Sequence, residues 1–366
     1  MSNIGGIGGI GGIGGIGGIG GIGGIGGIGG IGSAAYASGS PLGTDALIKH
    51  RDGIVGTWNG PSATSARKRA SLDARLLATD AQIRAAILDQ EVASRLFFTP
   101  IEQMRLPRAT PGKEFVLNHV CGPDKDNALA LGAIIKITSP NWAKIIPQQL
   151  DLVNQYAQLR DDRASEILTQ MNSAIGMFWS AVVDLHPATH PKTLELLDTA
   201  LRMANLVEMR FKLAFSAPRP VEYSAQIQPL ILTPRHGAFP SGHSTEAFMI
   251  AHILGTLTRD KSIIPLLQRQ AGRIAVNRTV AGLHFPIDSA AGRALGETLG
   301  HYFVARCGTT GNPRSFEAFD FDGVPTGANG DFEWTTPLLA SKSEKTRVGN
   351  SAVLNWLWQK ANKEWE

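Results

Sequence analysis

Between residues 45 and 305, proline and glycine cut the chain into stretches whose apolar residues recur at helical spacing, a pattern that admits little but stacked helices. It predicts helices over 64–90, 126–137, 147–158, 162–184, 192–215, 243–258, 264–281 and 287–305. Strand signals are sparse. The stretch Ala247 to Leu254 is apolar on every side, so its helix should lie at the centre of a multi-layer bundle. The expected fold class is therefore all-α, and 366 residues suffice to bury a substantial core.

The first residues obey other rules. Isoleucine occupies every third position from Ile4 to Ile31, and glycine fills the two positions between. A period of three suits neither helix nor strand, collagen would need proline, and ordering so much glycine costs too much entropy. We read residues 1–44 as a low-complexity tail and linker, which could join copies of the chain into a homo-oligomer through its isoleucines. The helical domain then spans 45–307. Residues 308–366 open with a Gly-, Pro- and Asp-rich loop and end in a helix bearing Trp356, Leu357 and Trp358, which should pack back on the bundle. Asp320, Asp322 and Asp331 lack the spacing of a calcium loop and read as solvated.

Charge and cysteine content narrow the classes. A net charge of +4, with Lys and Arg scattered among Asp and Glu, does not suggest nucleic acid. Cys121 and Cys307 stand far apart without zinc-type spacing and read as two buried thiols. Outside the repeat no apolar run is long enough to cross a bilayer. Ala35-Tyr36-Ala37 has the small-x-small form of a signal cleavage site, but no basic residue precedes it. The expectation is a soluble chain, cytoplasmic or exported.

Chemistry concentrates in three stretches: Lys212 to Pro220, Phe239 to His243, and Asn277 to His284. A tetrahedral oxyanion has several oxygens to satisfy. Lys212, Arg219 and Arg278 can supply charge-assisted donors, while the Ser241 hydroxyl and Gly242 amide add neutral ones. Pro240-Ser241-Gly242-His243 also falls at an expected helix start, where unpaired amides favour an anion.

In this order and spacing, Lys212, Arg219, Pro220, Pro240, Ser241, Gly242, His243, Arg278 and His284 resemble the three-part signature of the superfamily that joins type 2 phosphatidic acid phosphatases, bacterial acid phosphatases and vanadium-dependent haloperoxidases. Asn277 departs from it, standing where the pattern usually has Ser. The resemblance covers roughly residues 205–295 and implies the all-helical bundle of that superfamily. It implies that His284 is the nucleophile forming a phosphohistidine or the ligand holding vanadate, and that His243 is the acid/base on the opposite side. A helix starting near Pro286 would bring the Asp288 carboxylate to the other nitrogen of His284.

Two chemistries share such a pocket, because five-coordinate vanadate mimics the in-line transition state of phosphoryl transfer. One takes halide and hydrogen peroxide with vanadate as cofactor; the other hydrolyses phosphomonoesters without it. His236 stands where the family's bromoperoxidases carry a second histidine, which makes it a halide-site candidate and favours bromide or iodide. The long helical region before Lys212 points the same way. The short connection from His243 to Arg278, and Met209 where fungal chloroperoxidases have tryptophan, point to phosphatases. The sequence reading leans slightly to the haloperoxidase. A catalytically silent helical scaffold is a third expectation, one that would bind an anion without turnover.

Overall fold

The computed structural model describes residues 41–55, 70–98, 113–123, 129–171, 176–308, 314–325, 327–335 and 345–366, so the Ile-Gly-Gly repeat and Ala35 to Ala37 lie outside it. By its internal contacts the chain falls into two units, a smaller one over Gly17–Arg84 and a larger one over Ala85–Glu366. The smaller holds α1 (Pro41–Val55), α2 (Leu72–Ala78) and the start of α3 (Ala81–Ala93). Ser71 caps α2, its hydroxyl accepting from the Ala74 amide at 3.1 Å.

The larger unit continues with β1 (Leu96–Phe98), β2 (Glu114–Pro123) and β3 (Leu129–Thr138), then α4 (Trp142–Tyr156), α5 (Arg160–Thr169), α6 (Gly176–Ser180), α7 (Pro191–Phe215) and α8 (Pro220–Tyr223). It closes with α9 (Gly242–Thr258), α10 (Ile264–Val280), α11 (Pro286–Arg306), β4 (Arg314–Glu317), β5 (Phe319–Phe321), β6 (Lys345–Val348) and α12 (Ala352–Asn362). The expected helices over 192–215, 243–258, 264–281 and 287–305 agree with α7, α9, α10 and α11 to within a residue or so at each end.

The centre is the bundle of α7, α9, α10 and α11, with α9 packed against the other three. Ala247, Phe248, Met249, Ile250, Ile253 and Leu254 of α9 are all buried, as its apolar run requires. Glycines set how closely it can meet α11. A β-carbon added at Gly292 would lie 2.5 Å from the Ser241 carbonyl, one at Gly296 would land on the Thr245 carbonyl, and one at Gly300 would come within 2.9 Å of His252. These glycines recur every four residues, so they share one face of α11. The backbones close up where side chains would hold them apart.

Three expected helices fail here, and the one over 64–90 is broken between α2 and α3 at Thr79 and Asp80. Of the helix expected over 126–137, the described residues 129–137 are strand instead: β3 runs antiparallel to β2, with Leu117 opposite Ile135, and parallel to β5, with Ile135 opposite Phe319. Its β-branched residues Ile134, Ile135 and Ile137 are buried in a sheet of order β1-β2-β3-β5, with Lys136 between them. The single helix over 162–184 is likewise replaced by α5 and the short α6. The C-terminal stretch contributes strands as well as α12; β4 pairs antiparallel with β6.

The chain's end serves the bundle. Trp356 and Leu357 of α12 are buried, and α12 packs along α7. The Glu364 carboxylate accepts from the Lys192 and Thr193 amides at 2.8 and 2.7 Å, placing an anion at the positive end of α7. Asp331 accepts from the Tyr156 hydroxyl at 2.9 Å and Asp320 lies 3.7 Å from Lys136, so these carboxylates have protein partners. Both thiols are free, and Cys121 is exposed where a buried residue was expected. Among the described residues no helix is long and apolar enough to cross a membrane.

Candidate active site

Five helix termini meet here, the ends of α7 and α10 and the starts of α8, α9 and α11. Helix α7 ends at Phe215 because Ser216 turns left-handed (φ 47°), and its amide returns to the Lys212 carbonyl at 2.9 Å. That leaves Lys212 in the last turn, with its ammonium inside the bundle. It donates to the carbonyls of Pro240, Gly237 and Ala238 at 2.5, 3.4 and 3.4 Å. Gly237 has to be glycine here, since a β-carbon would lie 2.8 Å from the Lys212 carbonyl.

Arg219 sits just before α8, where its amide donates to Glu222 at 2.8 Å. Its guanidinium is buried. Nη1 lies 2.8 Å from His284 Nε2 and 3.1 Å from the Leu283 carbonyl, and Nη2 lies 3.2 Å from His236 Nδ1. Arginine can only donate, so Nε2 of His284 carries the lone pair and Nδ1 carries the hydrogen. That Nδ1–H donates to Asp288 at 3.1 Å, and the same carboxylate oxygen accepts from the Phe285 amide at 2.9 Å. The expected link between His284 and the first turn of α11 is present.

Arg278, in the last turn of α10, donates to the Gln170 side chain at 2.7 Å and lies 3.4 Å from His243 Nε2. Asn277 explains how Gln170 is held there. Its amide donates to Glu166 and Gln170 at 2.9 and 3.1 Å, and its carbonyl accepts from Arg163 at 2.9 Å. The departure from the expected Ser is thus absorbed into a polar clamp between α5 and α10.

Ser241, the residue before α9, makes no side-chain cap to its own helix. Its amide donates to the Asp288 carbonyl at 2.9 Å, and Ser244 donates to the Ser289 carbonyl at 2.7 Å, which ties the starts of α9 and α11 together. The Ser241 hydroxyl and Arg278 Nε are both buried without a partner. Buried donors left unpaired are costly, so their presence together in one place calls for a ligand.

Arg278 opens on a cavity of about 40 Å³, room for a few waters, and Ser241 directly precedes Gly242 in its lining. Lys212, Arg219, His236, Gly242, His243, Arg278 and His284 line it, together with Pro234, Leu283, Glu208 and Glu246. Of the proposed catalytic, oxyanion and halide residues, all but Ser241 and Asp288 line it; Ser241 precedes Gly242 and Asp288 stands behind His284. Two carboxylates were missed. Both could have been read from helical spacing, since Glu208 is one turn before Lys212 and Glu246 about one turn after His243. Met209 is not among the lining residues.

Electrostatics follow from burial among cations. Desolvation, then Arg219 and Lys212, hold His284 well below its usual pKa; desolvation, then Arg278, do the same to His243. Both rings are neutral near pH 7. Burial lowers Lys212 to about 8 and raises Asp288 to about 7, the latter offset by the Phe285 amide, Arg219 and Lys212. A neutral imidazole with its Nε2 lone pair facing a cationic cavity can attack or ligate a tetrahedral centre.

Beyond this cavity lies a wider one of about 510 Å³, lined by residues 216–218, Glu222 and 232–237. The two share Pro234 and His236. Compared with known proteins, residues 196–309 match the family model described as the PAP2 superfamily. A search among curated proteins returned no match.

Proposed function

Because residues 196–309 match the PAP2 superfamily model, we propose that the chain is a phosphatase that hydrolyses phosphomonoesters through a phosphohistidine at His284. One observation carries the reading: a neutral His284, backed by Asp288, lines a cavity together with Arg278, whose Nε lacks a partner.

The phosphoryl group sits among Lys212, Arg219, Arg278, Ser241 and the amides at the start of α9. Its oxygens draw Arg219 off Nε2 and expose the lone pair. Nε2 then attacks phosphorus in line while the bond to the ester oxygen breaks. Asp288, accepting from Nδ1, stabilises the positive charge that develops on the ring. The leaving oxygen takes a proton from His243, whose affinity for that proton rises when the dianion arrives. Neutral again, His243 accepts a proton from the water that attacks the phosphohistidine and frees phosphate.

Two features favour this chemistry over a resident oxyanion cofactor. Glu246 adds negative charge to the cage, where it acts on Lys212, and this weakens a permanent hold on an anion and eases product release. The outer cavity offers room for the organic part of an ester.

A second reading rests on His236, which lies at the junction of the two cavities and 3.2 Å from Arg219. There the chain would be a vanadate-dependent haloperoxidase acting on bromide or iodide. The donor set fits vanadate as well as phosphate: Lys212, Arg219, Ser241, Gly242 and Arg278 would hold its oxygens and His284 Nε2 its metal. Bound vanadate supplies a Lewis acid that activates hydrogen peroxide toward halide.

The test is an assay of the purified chain with a phosphomonoester in one arm and bromide plus hydrogen peroxide in the other, each with and without vanadate. Hydrolysis that vanadate inhibits is expected. Halogenation that appears only with vanadate would overturn the phosphatase reading in favour of the second.

A further inference from the structure

A carboxylate in an anion site is an electrostatic contradiction unless it carries a proton. Glu208 is such a group. It is 3% exposed, it lines the cavity, and its Oε2 has no hydrogen-bond partner. It also reaches the start of α9: a β-carbon built on Gly242 would lie 2.6 Å from Oε1 and 3.0 Å from Oε2. The carboxylate therefore occupies the space that glycine leaves empty, beside the amides and the Ser241 hydroxyl where an oxyanion would bind.

We propose that Glu208 is an oxyanion-binding residue that acts as its protonated acid, taking up a proton from solvent when the anion enters and donating it from Oε2 to one of the anion's oxygens. The inference rests on the reading of this cavity as an oxyanion site and holds for either chemistry. No bond between heavy atoms changes; one proton leaves solvent and forms an O–H bond on the carboxylate.

The surroundings suit that role. Glu208 faces Lys212 on its own helix, Arg219 and His236 from the connection to α9, His243 and Glu246 from α9, Arg278 from α10, and His284 with Asp288 behind it from α11. Burial raises Glu208 to about 7, with Lys212 and Arg219 pulling the other way. An arriving dianion adds negative charge and raises it further. An acid near neutrality thus becomes a donor at the moment a donor is needed, and an ionised Glu208 opposes binding at alkaline pH.

Tungstate tests this without confusion from its own titration, because it remains a tetrahedral dianion from mildly acid to alkaline pH. Calorimetric titrations of the full chain between about pH 6 and about pH 9 should show affinity falling by up to about tenfold per pH unit more in wild type than in Glu208→Gln, since one fewer proton is bound by the variant. Buffers of different ionisation heat should give one more proton taken up per tungstate by wild type. Glutamine keeps a donor, so the variant should bind more tightly than wild type at the alkaline end, whereas Glu208→Leu should bind more weakly than wild type at the acid end. Infrared difference spectra of wild type alone should gain a protonated-carboxyl band on adding tungstate, which keeps the question answerable if a variant fails to fold. Equal pH slopes in wild type and Glu208→Gln, or no such band, would overturn the role of Glu208 alone. Absence of tungstate binding by wild type at every pH would overturn the oxyanion site itself and this role with it.

Discussion

Nη1 of Arg219 lies 2.8 Å from Nε2 of His284, and because a guanidinium cannot accept, this one contact settles which nitrogen of the ring holds the lone pair. In the structure Arg219 covers the atom proposed to react. Replacing His284 with alanine removes that atom, so turnover in either assay should vanish while the fold, read by circular dichroism, is kept. Substantial residual activity would refute the assignment.

Asp288 tests the other side of the same ring. Its Oδ2 accepts from both Nδ1 and the Phe285 amide, so Asp288→Asn can keep both bonds through its one oxygen while losing the negative charge that stabilises a positive ring. We expect kcat to fall about 10- to 100-fold, in line with other losses of a histidine's supporting carboxylate. KM should change far less, which a purely structural defect would not produce.

Lys212→Ala should weaken binding of phosphate or tungstate by about 1.5–3 kcal/mol, the worth of a charge-assisted bond. Isothermal titration measures it. Unchanged affinity would mean that the ammonium serves only the carbonyls of Gly237, Ala238 and Pro240.

Most of the site was legible because the motif residues are local in sequence and cluster at helix ends. Pro240 to His243 reads as a helix start, and the start of α9 is where it lies. Asp288 followed from helical spacing alone. Glu208 was not seen because a charged residue on a long helix is ordinarily solvated, and only α9 laid across that face makes it buried. Gln170, which holds Arg278, caps α5 inside a stretch that reads as one unbroken helix, so nothing in the sequence marked it as a site residue. Strand β3 was lost for a different reason. A largely apolar run looks the same in a buried strand and a buried helix, and its partners β2 and β5 include one nearly two hundred residues away.

The glycine strip of α11 gives a stability prediction. Gly296→Ala puts a methyl group on the Thr245 carbonyl, and overpacking of this kind costs about 1–3 kcal/mol. Thermal unfolding should show a lower Tm. Gly292→Ala presses on the Ser241 carbonyl instead, so it should cut activity as well as Tm.

Acid should weaken the protein through His119. Its Nε2 accepts from the Gly349 amide at 3.2 Å, which leaves Nδ1–H to donate to the Tyr302 hydroxyl at 2.8 Å. Burial, then Arg306 and Arg95, lower its pKa from 6.5 to about 4. The folded state binds this proton less readily than the unfolded chain does. The stabilisation is therefore complete above pH 6.5 and is lost as pH falls through about 4, an effect of up to about 3 kcal/mol. Tm measured against pH should drop less steeply in His119→Gln than in wild type over that window.

The two cavities that share Pro234 and His236 differ more than tenfold in volume. An ester threaded through such a funnel would be held tightly by its head and loosely by its tail. On the phosphatase reading, the enzyme should then discriminate sharply among headgroups yet accept many alcohols behind them, a generalist whose selectivity resides in the neck.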